Sequence, residues 1–149
     1  MPATLQWYVR AAMVYIAAAM LLGLLYQLDQ VTGRLGLPRY VLVVHTHLAL
    51  VGGVIQMIMG VALWMFPLTQ PVERRLAYRE GLAWLTFVLF NAGLLGRFGA
   101  EWAFLSTGAA GWGMLAVATG TMQVAAFGIF LYHAWSLRLS RRSQGGAAR

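Results

Sequence analysis

Four long apolar runs, separated by short groups of charge, constrain this chain more than any other feature. They cover roughly Trp7 to Leu28, Tyr40 to Phe66, Gly81 to Leu95 and Gly111 to Leu137. A helix needs about 20 apolar residues to cross a bilayer, so each run reads as a spanning helix. The third is the shortest and leaves room to extend in either direction. The chain is 60% hydrophobic and 10% charged, where a soluble domain is about half apolar and a quarter charged. The expected fold class is therefore all-α integral membrane, with four transmembrane helices in an antiparallel bundle.

The formal net charge of +7 suggests nucleic-acid binding only until the cations are placed. All eleven are arginines, and they lie at helix ends. Arg10, Arg74, Arg75, Arg79, Arg138, Arg141, Arg142 and Arg149 fall on one side, and Arg34, Arg39 and Arg97 on the other. The positive-inside rule then puts both termini and the second loop in the cytoplasm, as expected for the inner membrane of a bacterium or archaeon. The basic tail meets anionic lipid, and nucleic acid is not an expected partner. With no cysteine, disulfides, thiolate metal sites, iron–sulfur clusters and covalent haem attachment are excluded. The first run begins almost at Met1 and reads as a retained helix.

One transmembrane domain, 1–140, is expected, followed by a disordered basic tail, 141–149. Loops are expected over Asp29 to Arg39, Pro67 to Glu80 and Gly96 to Ala110. Trp7, Tyr8, Trp64, Tyr78, Trp84 and Trp135 are expected to form an aromatic belt at one boundary. Trp102, Phe104 and Trp112 mark the other. Gly52, Gly53 and Gly60, and the pattern Ala116-x-x-x-Gly120, allow helix backbones to approach closely, inside the bundle or between subunits.

Ionisable groups inside a membrane are costly and point to function. Two lie well inside a span, His45 and His47, about 8 to 11 Å from the outer end of their helix. Residues two apart on a helix point about 200° apart, so the two rings face opposite sides and do not chelate one metal ion. Two planar cofactors flanking the helix, or one cofactor and one polar network, fit this arrangement better, and neutral imidazole is the usual axial ligand of haem iron. His133 lies about 20 Å away in depth by helix rise and reads as an interfacial side chain beside Tyr132 and Trp135. Arg39 and Arg97 lie near the depth of the histidine pair and are candidates for haem propionates, which arginine binds bidentately. Met57, Met59, Met65, Met114 and Met122 read as core filling rather than a copper path.

The run Val44-His45-Thr46-His47-Leu48, followed by Gly52-Gly53, Ile58-Met59-Gly60 and Leu63-Trp64-Met65-Phe66-Pro67, resembles the tenth helix of haem-copper oxidase subunit I. In that family the first histidine ligates the high-spin haem and the second the low-spin haem, from opposite faces of one helix. The resemblance implies these roles for His45 and His47 respectively, and gives Arg97 a loop comparable to the one that holds propionates. The family's twelve helices form three four-helix arcs, and the ligand helix is the second of each arc. The chain thus resembles one third of that ring, which implies a homo-oligomer. A trimer is favoured, and a twofold dimer is the alternative. The family's copper-binding histidines have no counterpart here, so this chain alone is not expected to be a complete terminal oxidase.

The leading expectation is a membrane protein holding haem b (protohaem IX) between His45 and His47 of neighbouring copies, and passing electrons to an unspecified redox partner. One alternative is a five-coordinate haem that binds or senses O2 or NO. The other is a structural, assembly or copper-handling subunit without haem.

Overall fold

Pro2, with an extended ψ of 150°, sets the start of the first helix, α1 (Ala3–Thr32). Its end is set by Gly33, whose φ of 63° is left-handed and whose N–H reaches the Asp29 carbonyl at 2.7 Å. Only glycine adopts this cap without a steric cost. The Asp29 carboxylate then accepts the backbone N–H groups of Leu35, Gly36 and Leu37 at 2.7, 3.0 and 2.7 Å, folding the first loop back over the helix end. The computed structural model describes residues 2–68 and 79–139. The cluster Glu73-Arg74-Arg75, Tyr78 and the tail 141–149 lie outside the described residues.

The second span has three parts: α2 (Tyr40–His47), a π-helical segment (Leu48–Ile55) and α3 (Gln56–Leu68). π-Helix is rare, is mostly confined to single turns, and is frequent at functional sites. Here it occupies eight residues directly after the histidine pair and contains Gly52 and Gly53. The chain then continues through α4 (Glu80–Thr107) and α5 (Ala110–Leu139). Every described element is helical, and four helices are long and apolar enough to cross a membrane. The molecule is a four-helix membrane bundle.

The third loop is far shorter than the sequence suggests. Helix α4 runs through the expected loop to Thr107, and only Gly108 and Ala109 link it to α5. Gly96 and Arg97 do not end the helix. Gly96 faces the Thr119 side chain of α5, where a Cβ would stand 2.9 Å from Cγ2. Arg97 is held by Glu101 one turn further on. Gly93 does more: a Cβ there would lie 2.7 Å from the Thr119 carbonyl oxygen. These glycines let α4 and α5 approach, and among the described residues α4 against α5 is the most extensive helix contact. Gly52 and Gly60 do the same for α1, facing Tyr15 and Tyr8.

The core sits at one end. Leu5, Tyr8, Met59, Leu63, Ala83, Phe90, Phe130 and Leu137 form it, all toward the end where α1 and α4 begin and α3 and α5 finish. Hydroxyl groups reinforce this seam: Thr4 donates to Glu80 at 2.8 Å, and Tyr8 donates to the Ala83 carbonyl at 2.8 Å. Tyr8 is thus a fully buried core residue rather than a member of the interfacial belt, whereas Trp7 and Trp135 remain exposed. His133 does not reach outward from α5. It is buried, and its Nε2 accepts the Arg79 backbone N–H at 3.2 Å, tying the start of α4 to α5. At the opposite end α2 buries none of its residues.

Candidate functional site

The histidine pair lies in α2, before the π-helical segment, so ordinary helix geometry governs it. The two rings point to opposite sides, as their spacing requires. His45 faces α1, with Nδ1 at 2.7 Å from the Ala19 carbonyl oxygen. His47 faces α4, its ring meeting Phe98 edge-on at 6.5 Å between centroids. Its Nδ1 lies 2.9 Å from the Val43 carbonyl oxygen of its own helix.

A carbonyl oxygen only accepts hydrogen bonds, so Nδ1 carries the proton in both rings. In each neutral imidazole Nε2 then carries the lone pair. Metal-ligating histidines are usually set up this way: a backbone carbonyl holds one N–H, fixes the tautomer and raises the basicity of the other nitrogen. Room for the His45 ring comes from Gly23, where a Cβ would stand 2.8 Å from Cε1. Both rings remain partly exposed.

Tyr40 opens α2 at the level of Phe98, to whose carbonyl its hydroxyl donates at 3.0 Å. Arg97 lies one residue earlier on α4. Its Nε donates to Glu101 at 2.7 Å, and its Nη1 lies over Gly120 of α5. Arg39 precedes α2 directly and is exposed, with no capping bond from its side chain. The structure therefore brings His47 and Phe98 together, sets His45 on the other side of α2, and turns Arg97 toward α5.

Sequence reasoning marks Asn91 as a polar group that can bond between helices but missed Gly23 and Tyr15, whose hydroxyl donates to Asn91 Oδ1 at 2.7 Å. A lone glycine late in an otherwise unbroken apolar helix was the available signal for the first.

Among the described residues no group of three or more His, Cys, Asp or Glu could hold a metal ion. Haem supplies four nitrogens of its own and asks the protein for one imidazole per axial position. Comparison with family models, curated proteins and solved structures finds no match to this chain.

Proposed function

We propose that this chain is a membrane haem b protein in which Nε2 of His45 and Nε2 of His47 are axial ligands and the haem carries single electrons. The observation behind this reading is the pair of Nδ1–carbonyl contacts, at 2.7 Å to Ala19 and 2.9 Å to Val43, which leave both Nε2 atoms ready to ligate. Two imidazoles on opposite sides of one helix do not meet at one iron. A second copy resolves this, with His47 of one copy and His45 of the next flanking a shared haem. The lack of buried residues in α2 agrees with a site completed by another copy and the cofactor. A closed trimer repeats the arc arrangement of the twelve-helix ring, and a twofold dimer meets the same need.

If His45 and His47 both held the haem, it would supply one-electron chemistry rather than a gas-binding position. Arg39, exposed at the start of α2, is a cation placed to meet a propionate. With the termini placed in the cytoplasm by the arginine distribution, His45 and His47 would hold the haem in the outer half of the inner membrane.

The test is expression with ample haem precursor, purification in mild detergent and reduced-minus-oxidised spectra, with His45→Ala and His47→Ala alongside. A low-spin haem b spectrum lost in either variant is expected. A colourless protein that keeps its fold and oligomeric state overturns the reading. A high-spin haem that shifts with carbon monoxide moves it to the five-coordinate alternative.

A further inference from the structure

A groove of about 280 Å³ opens between the π-helical segment, α4 and α5. Neither histidine lines it. Its walls are apolar, with Val51 and Ile55 on one side and Phe90 and Phe127 below, and its two polar side chains are Arg97 and Gln123. Their depths are ordered. Arg97 lies about 25 Å along α4 from Glu80, near the far boundary of a hydrocarbon layer about 30 Å thick. Gln123 lies about 4.5 Å deeper along α5 than Gly120, the residue over which the guanidinium rests. Phe90 lies about 10 Å deeper along α4 than Arg97. From mouth to floor the groove offers a cation, then a carboxamide, then aromatic and aliphatic surface.

Two features of this order are unfinished within the chain. Gln123 is more than nine-tenths buried, and its Nε2 has no hydrogen-bond partner, a costly state in an apolar setting. Glu101 takes only Nε of Arg97, and among the described residues neither Nη1 nor Nη2 has an acceptor. A guanidinium presenting its remaining N–H groups suits an oxygen-rich anion.

We propose that the groove is a phospholipid site. Its phosphodiester meets the Nη groups of Arg97, an ester carbonyl meets the Gln123 carboxamide, and one acyl chain lies along Val51, Ile55, Phe90 and Phe127. The polar groups of a phospholipid follow one another in this order, and the site asks for both phosphate and chain. The site is independent of haem ligation.

Native mass spectrometry of delipidated protein tests this, titrating phosphatidylglycerol, diacylglycerol with the same chains, and inorganic phosphate. Phosphatidylglycerol is expected to bind about tenfold more tightly than diacylglycerol, a difference of about 1.4 kcal/mol. Arg97→Gln should remove that preference. Gly120→Leu should block the groove while leaving the Arg97–Glu101 pair in place, and a Cβ at this position meets nothing nearer than Nη1 at 3.9 Å. Equal binding of the two lipids, undiminished binding by the Gly120→Leu variant, or equally tight binding of inorganic phosphate alone would each overturn the proposal. If Arg97→Gln does not fold, Gly120→Leu and the lipid comparison decide.

Discussion

Gly23 and His45 are in direct contact across the first two spans: a Cβ on Gly23 would lie 2.8 Å from Cε1 and 3.0 Å from Nδ1 of the imidazole. The bare backbone of α1 lets the ring lie flat enough to reach the Ala19 carbonyl. Gly23→Ala should displace the ring and break that bond. Overpacking costs about 1–3 kcal/mol, partly offset by the helix preference of alanine over glycine, about 0.5–1 kcal/mol. Net destabilisation in detergent melting and reduced haem content are expected together. An unchanged melt with full haem loading would mean that the ring has other room.

The Tyr15–Asn91 bond joins α1 to α4 midway between the core seam and the histidine pair. Tyr15→Phe leaves Asn91 Oδ1 without its donor. Interhelical hydrogen bonds in membranes are worth about 0.6 kcal/mol on average and up to about 2 kcal/mol, so a loss in that range is expected. Chemical unfolding in mixed micelles reads it, and no measurable loss would assign the pair to geometry rather than stability.

Gly93 and Gly128 make a matched pair on the two helices that contact each other most. Adding Cβ at Gly93 meets a backbone oxygen at 2.7 Å, whereas Gly128 has nothing within 4 Å. Gly93→Ala should therefore cost about 1–3 kcal/mol by pushing α4 from α5. Gly128→Ala should be neutral or stabilise by about 0.5–1 kcal/mol. Equal effects from both would contradict the close approach at Thr119.

Asp29 organises the first loop through three backbone donors. Asp29→Ala should raise amide exchange at Leu35, Gly36 and Leu37 by about tenfold or more, while Ala126 and Phe130 in the core keep their protection. Exchange that stays slow at all three loop positions would show that another acceptor holds them.

Much of this architecture is readable from residue order. Four apolar runs give four spanning helices, and the two-residue spacing of His45 and His47 gives their opposite directions. Local punctuation was less informative. Gly96 looks like the end of a helix, yet it is a point where α5 approaches, a fact that lives in the partner helix. Tyr8 looks interfacial beside Trp7, but on a helix adjacent residues point about 100° apart, so one reaches the core and the other does not. His133 looks like its aromatic neighbours and is instead buried against the start of α4. The π-helical segment carries no local marker beyond its paired glycines, because the choice between i→i+4 and i→i+5 bonding depends on what α1 and α4 present to it.

That wide-wound stretch separates two halves of one span. Before it lie the imidazoles, and after it lie Met59 and Leu63, locked into the core seam. The azimuth of one half relative to the other is therefore set by how many residues are wound loosely between them. Removing a single residue from Leu48–Ile55 would swing both imidazoles around the helix axis while the seam stays in place. The direction in which this protein presents its histidines is thus encoded as a winding number, separately from the contacts that hold the bundle together.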